Sequence, residues 1–278
     1  MTNTVKPILV IPYNEDLIKK AAGFILAVRT SDTAEIGKIA AAVGASRLYC
    51  IEVSADSLAS VDLKKEWLGL PLVFRLQSAG RLLDWVQALE NLRNSAARFY
   101  FPITPENITA VRTLSSLMVK TGLILDESCS EWDALEDLLA YDAFGKLAHA
   151  SAEPFRYVYS RYKEKGGDYN ELYLDKEGSF IHCDENGNMA LSRSALAKRE
   201  FIGVLDGAGS ADFGAISLAA REKGRAAFLK FEGCPVCPAW KVCGFRNAEE
   251  GKPCVRKQFM TALLEAAGEV NNNAVNNI

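Results

Sequence analysis

The stretch of sequence that decides the fold runs from residue 24 to residue 53 and reads FILAVRTSDTAEIGKIAAAVGASRLYCIEV. It begins and ends with short apolar runs, residues 24–29 and 48–53, whose length and composition are typical of buried β-strands. Between these runs, apolar residues recur with the spacing of one helix face, at Ile36, Ile39, Ala40 and Val43. Gly44 follows as a typical helix stop. A strand, a helix and a second strand in this order predict parallel strands joined by a right-handed crossover.

The same alternation continues on both sides of this unit. Further strands are predicted at residues 7–13, 72–76, 99–103 and 123–126. Segments with helical spacing lie between them, around residues 82–92 and 111–118, and another follows at 135–139. We therefore expect an α/β fold in which residues 1–150 form an open doubly wound sheet or part of a β/α barrel.

The pattern changes near residue 150. Residues 151–170 are rich in tyrosine and basic residues, and we interpret them as a linker or an amphipathic helix. Residues 171–191 predict a small antiparallel β structure, with strands at 172–174, 180–183 and 189–191 and a tight turn at Asn186-Gly187. We predict a barrel-like domain at 1–150, a linker or helix at 151–170 and a small cysteine-rich domain at 171–278.

Composition and charge exclude several classes of protein. The 278 residues include 32 Lys and Arg against 35 Asp and Glu, a formal net charge of −3, whereas a generally basic nucleic-acid binder needs a concentrated positive field. No apolar run reaches the roughly 18 residues of a membrane span, and the amino end lacks the pattern of a secretion signal. We expect a cytoplasmic protein that binds neither nucleic acid nor membranes.

Four of the seven cysteines lie within 21 residues of one another, with the spacing C-x2-C-x5-C-x10-C, at Cys234, Cys237, Cys243 and Cys254. Four thiolates that converge on one point repel one another unless a cation offsets their charge. The spacing therefore predicts either a tetrahedral zinc site or an iron–sulfur cluster. Pro238 follows the second cysteine, where zinc knuckles commonly place a small flexible residue, and this weakens the zinc interpretation.

These cysteines resemble the SPASM domain that is appended to radical S-adenosylmethionine (SAM) peptide maturases. The resemblance implies one auxiliary [4Fe–4S] cluster with Cys234, Cys237, Cys243 and Cys254 as its ligands. The segment that ends in Cys183 is also similar to the start of that domain, where the family places a first ligand of a second auxiliary cluster. No second cysteine follows Cys183 closely, and Asn247 stands where the family has a further ligand. We therefore expect one cluster, with Cys183 outside it.

The chain departs from the radical SAM enzymes at its front. Those enzymes carry C-x3-C-x2-C after the first barrel strand, whereas residues 30–35 read TSDTAE. This departure implies a partial or degenerate radical SAM-like barrel that takes no SAM, and it argues against an enzyme. The chain thus resembles the accessory SPASM-domain proteins of GeoRSP-type systems. That resemblance implies a radical SAM maturase and its peptide substrate as partners, and electron relay or docking as the role.

Two alternatives from other classes remain open. One is a β/α barrel enzyme whose tail holds a structural zinc site made of four cysteines, and the other is a zinc-stabilised interaction module. Asp126 and Glu127 at a strand end would be the acid–base pair of such an enzyme, although helix capping is the simpler interpretation. We assign no catalytic residue. Cys129 is expected at a helix start, Cys50 in the core, and His182 facing solvent on a β-ribbon.

Overall fold

The computed structural model describes residues 7–206 apart from 62, 82–87, 126–129, 163–166 and 177, and then 233–243, 254, 256–276 and single positions between 216 and 230. The strands are β1 (Ile8–Pro12), β2 (Leu26–Thr30), β3 (Leu48–Ser57), β4 (Leu72–Ser78), β5 (Arg98–Pro102), β6 (Thr121–Ile124), β7 (Phe180–Cys183), β8 (Asn188–Ala190) and β9 (Gly203–Val204). The helices are α1 (Glu15–Lys20), α2 (Ile36–Val43), α3 (Leu89–Asn94), α4 (Pro105–Ser116), α5 (Trp132–Phe144), α6 (Phe155–Arg161), α7 (Arg193–Ala197), α8 (Trp240–Cys243) and α9 (Lys257–Asn276).

The strands form one nine-stranded sheet in the order β6-β5-β4-β3-β2-β1-β7-β8-β9. The neighbouring strands from β6 to β1 are parallel, and β1 is also parallel to β7. The pairs β7–β8 and β8–β9 are antiparallel. The α/β class and the parallel sheet are thus confirmed. Because β6 and β9 are the edges of the sheet in the described part of the chain, no closed barrel is formed there.

The βαβ unit at residues 24–53 is confirmed as β2, α2 and β3. Gly44 ends α2 with a positive φ of 76°, a conformation that glycine adopts without strain. The other four strands predicted before residue 150 correspond to β1, β4, β5 and β6, with shifts of one or two residues at their ends. Of the helical segment predicted around 82–92, residues 82–87 lie outside the described residues.

One face of the sheet is mainly apolar. Strands that follow one another in sequence order place all their right-handed crossovers on one face. Side chains that share this face are fully buried, as at Leu9, Val28, Ile51, Val53, Phe74 and Phe99. Burial of a side chain of this size contributes about 1.5–3 kcal/mol, so this layer supplies most of the core.

The opposite face carries charged and polar side chains. Arg29 stands beside Glu52 in the pairing of β2 with β3, and Arg75 stands beside Tyr100 in the pairing of β4 with β5. Partners in register project to the same side of a sheet. The crossovers that join β1 to β6 lie on the apolar face, so a later part of the chain must shield the polar face.

The segment between α6 and α7 provides that cover. Tyr173 donates a hydrogen bond of 2.6 Å to the carbonyl oxygen of Leu123 on β6, and its ring meets Tyr100 edge-on at 5.6 Å. Glu52 in β3 is only 2% exposed. Arg193 at the start of α7 donates two hydrogen bonds to its carboxylate, from Nη1 to Oε1 at 3.0 Å and from Nη2 to Oε2. The same Nη2 also donates to the carbonyl of Tyr173 at 3.3 Å. These contacts fix the later chain on the polar face.

Two details of residues 171–191 differ from expectation. The strand predicted at 172–174 is wrong, because a 3₁₀-helix at Tyr169–Glu171 leads into a turn in which Leu174 has a φ of 58°. The apolar residues there cover the sheet and add no strand to it. The prediction that His182 faces solvent is also wrong: β7 lies between β1 and β8, and His182 is fully buried.

The helix α9 packs against α5 and α6. Phe259 packs against Trp132 at 5.7 Å and against Phe155 at 6.2 Å between ring centroids. Strands β7 to β9, which belong to the predicted domain 171–278, extend the sheet of the predicted domain 1–150. The boundaries at 150 and 170 stay predictions. Among the described helices, none has the length and apolar character needed to cross a membrane.

We predict that Glu52→Leu destabilises the protein by about 3 kcal/mol, because it leaves the Arg193 guanidinium half-buried without its carboxylate. Urea unfolding at neutral pH measures the change. The control is Glu66→Leu at an exposed carboxylate, which should change the free energy of unfolding by less than about 0.5 kcal/mol. The double variant Glu52→Leu/Arg193→Met should recover at least half of the loss; equal stability of Glu52→Leu and its control would contradict a structural role for the pair.

Candidate metal centre and strand-end cavity

The first three predicted ligands lie on a turn that leads into a short helix. The backbone N–H of Cys237 donates to the carbonyl of Cys234 at 3.1 Å, and that of Trp240 donates to the carbonyl of Cys237 at 3.3 Å. Helix α8 follows, and its last residue is Cys243. Local backbone hydrogen bonds therefore hold Cys234, Cys237 and Cys243 on one compact stretch of chain.

Apolar residues attach this stretch to the core. Ala239 is fully buried and Val242 is 8% exposed. Cys237 and Cys243 are partly buried and pack against the hydrophobic core, whereas Cys234 is partly exposed and Cys254 is exposed. The thiols thus lie at the boundary between the core and solvent.

The fourth predicted ligand is placed by the start of α9. The carbonyl of Cys254 accepts a hydrogen bond of 3.2 Å from the N–H of Lys257. Two residues after Cys254, Arg256 is 2% exposed, donates Nη1 to the hydroxyl of Tyr169 at 3.4 Å and lies over the ring of Trp132 at 5.7 Å. Burial raises the pKa of Tyr169, and the next cause is the charge of Cys243. Tyr169 therefore neighbours both Arg256 and Cys243.

Three of the four thiols are close enough for two of them to influence the pKa of the third. The pKa of Cys234 is raised first by burial and then by the negative charges of Cys254 and Cys237. A cation bound between thiolates would offset their mutual repulsion. Within the described residues, however, no group of three or more His, Cys, Asp or Glu side chains is arranged to hold a metal ion. The ligand set therefore stays a prediction.

The chemistry of the donor set is compatible with a metal. The six cysteines that the structure describes are free thiols, the four predicted ligands included. Thiolates are soft ligands that bind zinc and iron–sulfur clusters alike, so the donor set by itself does not separate the two.

The remaining predicted residues lie apart from these four. Cys50 is a core residue as expected, 3% exposed, with its pKa raised by burial. Cys183 is fully buried in β7, and burial raises the pKa of its thiol to about 12. Cys129, Asp126 and Glu127 lie outside the described residues, as does Asn247.

Residues 30–35 form a capped turn at the end of β2. Asp32 caps the 3₁₀-helix Thr33–Glu35 by accepting a hydrogen bond of 2.8 Å from the N–H of Ala34. The hydroxyl of Thr30 donates to the carboxylate of Glu35. The polar side chains of this turn are therefore used to stabilise its backbone.

Beside this turn lies an open cavity of about 610 Å³ at the carboxyl ends of β1 and β2. Its lining includes Pro12, Tyr13, Arg29, Thr30, Ser31, Glu35, Glu52, Ser54, Asp184, Glu185, Asn186, Arg193 and Leu196. Sequence reasoning missed Arg29 and Glu52 as site residues. The available signal was a charged residue at an alternate position within an otherwise apolar strand, because a strand buried on both faces places such a residue only where a partner or a ligand meets it.

Comparison of the chain with models of known protein families and with curated protein sequences finds no match.

Proposed function

We propose that the chain is an accessory iron–sulfur protein that works beside a radical SAM peptide maturase. It binds one [4Fe–4S] cluster through Cys234, Cys237, Cys243 and Cys254. The observation that carries the proposal is the C-x2-C-x5-C-x10-C spacing, and the influence of Cys254 and Cys237 on the pKa of Cys234 supports it. Free thiols of this kind persist in the reducing cytoplasm, where we place the protein.

The fold supports this proposal in two ways. Six parallel strands in sequence order, β1 to β6, are the arrangement expected of a partial barrel. The turn at Thr33–Glu35 follows β2 with a capped backbone and carries no thiol. Both observations favour a degenerate radical SAM-like barrel that serves as a scaffold.

The protein's own residues would fix the cluster in place. Ala239 and Val242 attach the turn that carries three ligands, and the buried Arg256 holds the chain beside Cys254 through Tyr169 and Trp132. A bound cluster would supply a one-electron redox centre whose potential depends on burial and on hydrogen bonds to sulfur. The role of this chain is then to relay an electron or to hold the maturase and its peptide together.

We predict that anaerobically purified or reconstituted protein is brown and contains about four iron and four sulfide per chain. Cys234→Ala and Cys243→Ala should each abolish the visible absorption band. Cys129→Ala, outside the ligand set, should keep it. Visible spectroscopy with iron, sulfide and zinc analysis provides the measurement.

Two results would contradict this part of the proposal. Colourless protein with one zinc per chain after anaerobic preparation would establish a structural four-cysteine zinc site in place of a cluster. An unchanged cluster in Cys243→Ala would refute the ligand assignment.

We predict that the cluster-loaded protein forms a complex with a radical SAM peptide maturase from the same source, with a Kd of about 10 μM or tighter. Anaerobic co-purification and titration by light scattering or calorimetry measure the complex, with and without the peptide substrate. A maturase from an unrelated modification system is the control. If no complex forms at about 100 μM, the proposed partner role is contradicted, whereas the proposed cluster is not affected.

A further inference from the structure

We propose that the cavity at the carboxyl ends of β1 and β2 binds an α-carboxylate, presented by a free amino acid or by the carboxyl terminus of a peptide, and that Arg29 holds it. This inference does not rest on the proposed cluster, because none of the four cysteines lines the cavity. It follows from the place of the cavity, the state of Arg29 and the charges around it.

The place of the cavity is that of a ligand site. Loops at the carboxyl ends of parallel strands are where α/β proteins bind their ligands. At about 610 Å³ the cavity has the volume of a small-molecule site. Its wall combines the polar Thr30, Ser31 and Ser54 with the apolar surfaces of Tyr13 and Leu196, so a ligand with one charged end and an apolar side chain fits its chemistry.

Arg29 is the group that requires an anion. The hydrogen bond that the described residues offer its guanidinium runs from Nη2 to the carbonyl of Cys183, at 2.7 Å. Its Nε is buried without a hydrogen-bond partner in the described part of the chain. Burial lowers the pKa of Arg29, and the charge of Arg193 lowers it further, yet a guanidinium stays protonated in proteins. The remaining N–H groups of this guanidinium are donors of the kind that a carboxylate accepts from.

The nearest carboxylate is already occupied. Both oxygens of Glu52 accept hydrogen bonds from Arg193. Arg75 belongs to the same group, since burial and the charge of Arg193 lower its pKa while Glu52 raises it. Three guanidinium groups thus influence one another around one carboxylate. Two of them, those of Arg29 and Arg193, line the cavity beside Glu52.

The rim limits what kind of anion enters. Asp184 is occupied by its own turn, where it accepts from the N–H groups of Asn186 and Asn188 at 2.9 and 2.8 Å. Glu35 and the exposed Glu185 also line the cavity. These carboxylates repel a phosphate or another polyanion, and they attract an ammonium or amide N–H next to a single carboxylate. That combination is an α-carboxylate, with its own amino or peptide nitrogen facing the rim.

Calorimetric titration of the full chain tests the proposal with two matched pairs of probes. L-Leucine is compared with L-leucinamide, and N-acetyl-Ala-Leu is compared with its carboxyl-terminal amide. We expect at least one carboxylate probe to bind, its amide to bind about tenfold more weakly or worse, and Arg29→Gln to weaken the carboxylate probe to the same degree. Arg29→Lys should retain part of the affinity.

Arg47→Gln is the matched control, because Arg47 also donates to a backbone carbonyl, that of Ala21 at 3.2 Å, and does not line the cavity. Thermal unfolding confirms that each variant folds. Binding of leucine but not of the peptide identifies a free amino acid as the source of the carboxylate, and the reverse identifies a peptide terminus.

Three results would overturn the proposal: no binding of either carboxylate probe at about 10 mM, equal binding to Arg29→Gln, or inorganic phosphate binding as tightly as the carboxylates. These variants keep all cysteines, so the proposal for the cavity and the proposal for the cluster are tested independently. Iron content measured on the same samples reports on the cluster alone.

Discussion

A parallel sheet that winds in one direction has crossover helices on one face, and in this protein the other face carries charge. The ion pair between Glu52 and Arg193 is the constraint that makes such a face tolerable. Glu52 is 2% exposed, and an ionised carboxylate at that depth destabilises the fold by several kcal/mol unless a cation pairs with it. Arg193 supplies that cation from 141 residues further along the chain. Formation of the pair therefore requires that the later chain fold back across the sheet.

The cover and the cavity follow from the same geometry. Once Arg193 lies over β3, the preceding turn places Tyr173 against Tyr100 and the carbonyl of Leu123, so the middle of the polar face is closed. At the carboxyl ends of β1 and β2, however, the cover stops and the cavity begins. Arg29 lies there with its neighbour Glu52 already paired. Arg29 lines the cavity while both oxygens of Glu52 are taken by Arg193, which is why we assign Arg29 to a ligand.

The sequence predicted the parts of the fold that depend on local pattern. Strand and helix periods located β1 to β6 and the unit at residues 24–53, because a face buried under helices must be apolar at fixed spacing. It failed at residues 172–174 and at His182, since in both cases the partner is distant in sequence. A short apolar run has the same sequence pattern whether it forms a strand of a sheet or packs on top of one. The burial of His182 depends on the pairing of β7 with β1.

The candidate sites divide in the same way. The four cysteines are predicted as ligands from spacing alone, and three of them lie within ten residues, from Cys234 to Cys243. The approach of Cys254 to Cys234 depends on the packing of α9, which no local pattern contains. Arg29 and Glu52 were visible only as charges inside apolar strands, and their meaning depends on the register of β2 with β3.

Tyr169 links the cysteine segment to the covered face of the sheet. Its hydroxyl accepts from Arg256 beside Cys254, its pKa responds to Cys243, and its ring meets that of Tyr173 at 5.9 Å. Tyr173 in turn contacts Tyr100 in β5. Under the proposed function this chain of buried aromatic contacts holds the cluster at a fixed position relative to the strand ends. A scaffold that must present a redox centre to a partner needs that rigidity, because both electron transfer and docking depend on where the cluster lies relative to the surface that the partner meets.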